Sequence, residues 1–217
     1  MNIGIKDVLQ RVSFFFMLYL NLLVSCLIIK FMFIREDIYF TVNARHHQWA
    51  DIFFKYFTNI GDGLTTVVIC IILSLFFSYR KAFLLVTSYA VSSITAQVLK
   101  HWFDMPRPKL YFGKQLDHIH FIDGVHVYSN HSFPSGHSVT AFSTAIVLTY
   151  FMKDKRWGIL FFALALLAGY SRMYLSQHFF EDVVAGSVIG FVITILWLSW
   201  LDNKPFLHSE KWARRAI

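Results

Sequence analysis

Charge is scarce in this 217-residue chain: Asp, Glu, Lys and Arg make up 15% of it, against about 25% in an ordinary soluble domain. With 56% hydrophobic and 18% aromatic residues, that deficit excludes a soluble globular domain and points to a membrane protein. Cysteine is nearly absent. Cys26 and Cys70 lie in separate apolar runs, which excludes a disulfide framework and a CxxC pair and leaves two buried thiols. No internal repeat or low-complexity segment interrupts the chain, and its length fits one domain over residues 1–217. Acidic residues are the scarcer sign, 13 against 20 Lys and Arg, for a net charge of +7. Such an excess could serve a nucleic-acid partner, but polytopic proteins also gather Lys and Arg on cytoplasmic loops. The positions favour the second reading, so no nucleic acid is expected.

About 20 apolar residues cross a bilayer. Six segments qualify, near 13–34, 62–79, 82–100, 136–152, 157–176 and 180–201. The expected fold is all-α, a polytopic bundle of six transmembrane helices. Basic residues cluster at Lys6 and Arg11, at Arg80 and Lys81, through Lys153-Asp154-Lys155-Arg156, and in a tail over 202–217 with Lys204, Lys211, Arg214 and Arg215. Six crossings put all four clusters on one side, which the positive-inside rule makes cytoplasmic together with both termini. The first apolar run is too long for a signal peptide and lacks a small-residue cleavage site, so it reads as a retained span. The 35–61 connector carries Arg45-His46-His47, then Trp49, Ile52, Phe53, Phe54, Tyr56 and Phe57. That pattern suits an amphipathic helix in the membrane interface, serving either to cap the bundle or to admit lipid.

Three clusters hold polar residues that a plain bundle would not need, and all fall on the non-cytoplasmic side. Lys100 ends the third span, and Arg107 stands between Pro106 and Pro108, which stop a helix. Two fixed cations at one face make an anion site, although either alone reads as a snorkelling side chain. Phe133-Pro134-Ser135-Gly136-His137 opens the fourth span. Ser135 is a natural N-cap, Gly136 permits close backbone approach, and a helix start binds phosphate oxygens. The third cluster is Ser171-Arg172 through His178 to Asp182. Arg172 adds a guanidinium fork. If the stretch from His178 is helical, His178 and Asp182 are i and i+4 and share a face. The carboxylate can then hold one imidazole nitrogen and leave the other free to attack.

Taken together, Lys100-x6-Arg107-Pro108, then Pro-Ser-Gly-His, then Ser-Arg-x5-His-x3-Asp resemble the three signature motifs of the type 2 phosphatidic acid phosphatase (PAP2) superfamily. They occur in order, with unbroken spacing, over residues 100–182. The resemblance implies a six-helix core with its site at the outer membrane face. It implies that His178 attacks phosphorus to form a phosphohistidine, with Asp182 fixing its tautomer. His137 would protonate the leaving oxygen and then activate water. Lys100, Arg107 and Arg172, with Ser135 and the Gly136 N–H, would hold the phosphoryl oxygens, and no metal or other cofactor is needed if these cations supply the charge. The implied substrate is a membrane lipid phosphate: undecaprenyl diphosphate, a lipid A phosphate, phosphatidylglycerophosphate or phosphatidate. The small size suits a bacterial inner-membrane protein with its site facing the periplasm or exterior. A lipid phosphotransferase would use the same residues, and a non-catalytic transporter or scaffold would leave the motif spacing unexplained. His118, His120, His126 and His131 match no structural zinc spacing. With Lys109 and Lys114 they read as a basic rim for an anionic headgroup.

Overall fold

The computed structural model describes residues 3–216, apart from the Gln115 side chain, and is helical throughout. Residues 1, 2 and 217, at the ends of the expected domain and tail, lie outside the described residues. A short α1 (Ile5–Arg11) leads into α2 (Ser13–Met32). The connector forms α3 (Arg35–Asn43), α4 (Gln48–Phe57) and a tight turn over Thr58–Gly61. Next come α5 (Gly63–Phe76), α6 (Tyr79–Phe103) and a five-residue α7 (Pro108–Phe112). The bundle is completed by α8 (Gly136–Phe151), α9 (Trp157–Tyr174) and α10 (Phe180–Leu201), and the tail carries α11 (Glu210–Ala213).

Each expected span has a helix at its place, but the six are not alike. Among the described residues, four helices (α2, α6, α9 and α10) are by themselves long and apolar enough to cross a membrane. The 14 residues of α5 reach only about 21 Å. It qualifies as a span only jointly with the preceding Gln48–Gly61 segment, from which it is bent by 57°. The 16 residues of α8 reach about 24 Å. Its shortness has a packing reason: twelve of the sixteen are buried, because α8 stands in the middle of the bundle with α6, α9 and α10 around it. A helix screened from lipid need not match the bilayer thickness. By contrast, α2 fully buries only Phe15, Tyr19 and Cys26 of its 20 residues and leaves Met17, Val24, Leu27, Ile28 and Phe31 exposed.

Lipid tails are as apolar as leucine, so close packing and interhelical hydrogen bonds hold such helices together. Along α10, Gly186 and Gly190 are four residues apart and face α8. A Cβ at Gly186 would sit 2.5 Å from the Ser135 carbonyl, and one at Gly190 would sit 2.6 Å from that of Val139. Glycine therefore sets the spacing of α8 and α10, and with it the position of the α8 start. Buried hydroxyls add bridges to α8: Thr194 of α10 donates to Ser143 at 2.8 Å, and Thr66 of α5 pairs with Thr144 at 2.9 Å.

The connector is one amphipathic helix preceded by a second, shorter one. On α4, Ala50 and Phe54 are buried, while Trp49, Ile52, Phe53 and Tyr56 are exposed on the side turned away from the bundle. That is the distribution of a helix lying in an interface.

Candidate active site

Five chain segments meet at one end of the bundle: the last turn of α6, the loop around Arg107, the start of α8, the last turn of α9, and the turn joining α9 to α10. Lys100 is buried in the last turn of α6, with its ammonium donating to the His131 carbonyl at 2.7 Å. Arg107 caps α7, where Pro108 takes the first helical position. Its Nε donates to the Asn130 carbonyl at 2.9 Å, and Nη1 donates to the carbonyl and Oε1 of Gln177 at 3.2 and 3.1 Å. The buried Arg172 donates through Nη1 to Thr58 Oγ1 at 2.7 Å, while its Nε has no hydrogen-bond partner among the described residues.

His178 and Asp182 come together, although not on one helical face. The helix begins only at Phe180, so His178 lies in the turn ahead of it. Asp182 reaches back from the first turn of α10 to accept the Phe179 N–H at 2.9 Å. That cap brings its Oδ2 to 3.5 Å from His178 Nδ1. The pair is i,i+4 as expected, but a cap instead of a shared helical face brings it together, because an Asp that satisfies the first free amides of a helix competes well with extending that helix backwards.

His178 is 2% exposed. Burial, then the charges of Arg107, Arg172 and Lys100, push its imidazole well below the ordinary value, so the ring is neutral and holds a lone pair. His137 lies in the first turn of α8, its Nε2 3.9 Å from Asp62 Oδ2. That is too far for a hydrogen bond.

Ser135 is the N-cap of α8, as expected, but its Oγ is fully buried and engaged. It accepts from the Ser138 N–H at 3.4 Å and from the Ser138 hydroxyl at 2.9 Å. Its own N–H donates to the Asp182 carbonyl at 2.9 Å, which ties the start of α8 to the start of α10. At Gly136 a Cβ would meet only Lys100 Cε, at the ordinary distance of 3.8 Å. The face that glycine leaves open is therefore the one Lys100 shares.

Several polar partners were not singled out in the sequence. Ser132, with no exposed surface, donates to Asp182 Oδ2 at 2.5 Å and stands 3.4 Å from His178 Nδ1. Gln177 accepts from Arg107 and donates through Nε2 to the His126 carbonyl at 2.8 Å. Tyr39 donates to Ser176 Oγ at 2.9 Å, fastening α3 to the His178 turn. For Ser132 and Gln177 the available signal was a polar residue next to a motif; Thr58, 114 residues from Arg172, gave none. The loop histidines do not gather. His120 pairs with Asp51 at 2.9 Å and stacks on His46, His126 lies against Tyr128, and His131 lies against His101. Among the described residues no three His, Cys, Asp or Glu side chains are placed to hold a metal ion.

Residues 81–206 match the PAP2 superfamily. Over 168 residues the chain is 30% identical to phosphatidylglycerophosphatase B of Bacillus subtilis, covering 71% of this chain and 76% of that one. It is 25% identical over 171 residues to a lipid A 4'-phosphatase of Porphyromonas gingivalis, covering 74% and 70%. Among solved structures, it superposes on Aquifex aeolicus LpxE with a TM-score of 0.67 at 28% identity, over 76% of this chain and 95% of that one.

Proposed function

The chain belongs to the PAP2 superfamily, and on that premise we propose that it hydrolyses the phosphate monoester or diphosphate of a membrane lipid through a phosphohistidine. His178 Nε2 attacks phosphorus with its lone pair while Asp182 holds Nδ1. The bond from phosphorus to the leaving oxygen breaks, and that oxygen takes a proton from His137, which the negative charge of the bound phosphate holds as the imidazolium. His137 then accepts a proton from water as the water attacks the same phosphorus. The P–N bond breaks, His178 returns to its neutral form, and phosphate leaves. Phosphoryl transfer asks mainly for positioning and for neutralisation of oxygen charge, and Lys100, Arg107 and Arg172, with Ser135 and the Gly136 N–H, would supply both.

The observation that carries this reading is the Arg172 guanidinium, 7% exposed, with an unpartnered Nε in a cluster of three cations and one carboxylate. A buried charged donor without an acceptor costs upwards of about 1–3 kcal/mol, which a phosphoryl oxygen would offset. Substrate candidates remain phosphatidylglycerophosphate, a lipid A phosphate, undecaprenyl diphosphate and phosphatidate. The test is phosphate release by the purified protein in detergent from short-chain forms of these lipids, with His178→Ala alongside. Release by the wild type alone supports the assignment, and EDTA leaves the rate unchanged. Equal release by His178→Ala, or none from any lipid together with no binding of vanadate, would overturn it.

We further infer one domain with six crossings, in which α5 crosses with help from the bent connector and both termini are cytoplasmic. The site then faces the periplasm or exterior of a bacterial inner membrane. In support, the four basic clusters all lie at the α5–α6 turn end of the bundle, opposite His178. Labelling of single cysteines placed at Lys155 and at Trp102 by a membrane-impermeant thiol reagent tests this, in intact cells of a variant lacking Cys26 and Cys70. Labelling is expected at 102 alone.

A further inference from the structure

At the end of the bundle away from His178 lies a groove of about 640 Å³, larger than a side-chain gap. Its walls are Val67, Cys70 and Ile71 of α5 and Ala82, Phe83 and Val86 of α6, and Lys211 and Trp212 of α11 stand at its mouth. Seven helical steps along each wall, from Ser74 to Val67 and from Tyr79 to Val86, make it about 10 Å deep. The tail is fixed across its mouth. Trp212 packs on Phe83 at 4.9 Å and on Phe206 at 5.5 Å between ring centres. The Tyr79 N–H donates to the Arg214 carbonyl, and the Ala216 N–H donates to that of Ser74, each at 2.9 Å.

That pinning holds Lys211, Arg214 and Arg215 at the open end of an apolar slot. Among the described residues none of the three forms an ion pair, whereas Arg80 next to them is paired with Asp202. Glu210 is the one acidic side chain in the same segment. Apolar walls with an unpaired cationic rim are complementary to an acyl chain that carries an anionic headgroup, and basic juxtamembrane residues are drawn to anionic lipid surfaces.

We propose that this groove binds one phospholipid with an anionic phosphodiester headgroup, its chain between α5 and α6 and its headgroup at Lys211. The site is separate from the catalytic one and does not depend on the phosphatase reading. Bound there, the lipid bridges the tail to the α5–α6 hairpin and stabilises both.

The probe is phosphatidylglycerol, compared with phosphatidylcholine of the same chains, added to the full-length protein in neutral detergent. Retention is read by native mass spectrometry and stabilisation by thermal unfolding. We expect about tenfold preferential retention of phosphatidylglycerol and a rise in Tm, both weakened by salt. Lys211→Glu and the groove-filling Ala82→Trp should abolish the preference and leave phosphate release in detergent unchanged. Lys211→Glu carries the test if Ala82→Trp does not fold. Equal retention of the two lipids overturns the proposal. So does a preference that survives Lys211→Glu, or one that is lost instead in Arg107→Ala, which would place the lipid at the catalytic cluster.

Discussion

At one end of the bundle Asp202, with no exposed surface, accepts Arg80 Nη2 on both carboxylate oxygens at 2.6 and 2.7 Å. Tyr150 donates to it at 2.6 Å and in turn accepts from Arg11 at 2.8 Å, while the His208 ring meets the Asp202 carbonyl at 2.7 Å. At the other end Asp182 forms no ion pair with Lys100, Arg107 or Arg172; its Oδ2 is taken by Ser132 and the Phe179 N–H. The first cluster is closed, each member being satisfied by another, and it joins α1, α6, α8 and α10 with the tail. The second is over-supplied with positive charge and keeps a donor without an acceptor. A buried polar cluster that balances itself belongs to the fold, whereas one that stays unbalanced needs an anion from outside.

Substitutions separate the two. His178→Ala is expected to bring phosphate release below detection, since no other neutral imidazole stands at the Asp182 pair. Arg172→Ala should lower kcat/KM by about 10²–10³, the usual loss for one preorganised charge-stabilising donor. It should leave Tm unchanged or raised, because it relieves repulsion among Lys100, Arg107 and Arg172. Asp202→Ala should do the reverse. It strands Arg80 and Tyr150 and should cost about 3 kcal/mol of stability, read as a lower Tm in detergent, while the protein that remains folded hydrolyses at the wild-type rate. A large activity loss at Asp202 with Tm intact, or a large Tm loss at Arg172, would break the comparison.

Ser132→Ala is a smaller perturbation at the same place. A hydrogen bond to a charged group contributes about 1.5–3 kcal/mol, so kcat should fall roughly tenfold to a hundredfold with KM little changed. Asp182 keeps the Phe179 N–H, which holds it near His178 more loosely. A rate equal to wild type would mean that the helix cap alone aims the carboxylate.

Much of this arrangement was legible in the chain. The apolar runs marked where the long helices lie, and the motifs named Lys100, Arg107, Ser135, Gly136, His137, Arg172, His178 and Asp182, the residues on which the proposed chemistry rests. Their partners were hidden because contacts made across the bundle leave no local pattern. Thr58 reaches Arg172, and Arg80 reaches Asp202 across 122 residues. The His178–Asp182 pair was right as a contact and wrong as a helix, since spacing alone does not tell a capping Asp from one a turn further along. The bounds of α8 were legible to within a residue, but its place in the middle of the bundle was not: hydropathy reports how apolar a segment is, not whether lipid or other helices surround it.

The acid limb of the pH–rate profile tests the excess of positive charge most directly. The imidazole of His178 is held well below its ordinary value of 6.5, by burial first and then by Arg107, Arg172 and Lys100. Nucleophilic attack needs the neutral ring, so kcat/KM, which reports the free enzyme, should stay level as pH falls through 6.5 and decline only beneath it. Arg107→Gln removes one cation, makes the imidazolium less unfavourable and lets the pKa rise toward its ordinary value, so the limb should move to higher pH. The stability sign agrees. The unfolded chain takes up a proton on this histidine below about 6.5 and the folded one does not, so acid favours unfolding over that range, and Arg107→Gln should reduce that sensitivity. Asp202→Ala, at the balanced end, should leave the limb where it is. A limb that does not move in Arg107→Gln, or moves to lower pH, would mean that burial alone keeps His178 neutral and that the cations serve the phosphate without tuning the nucleophile.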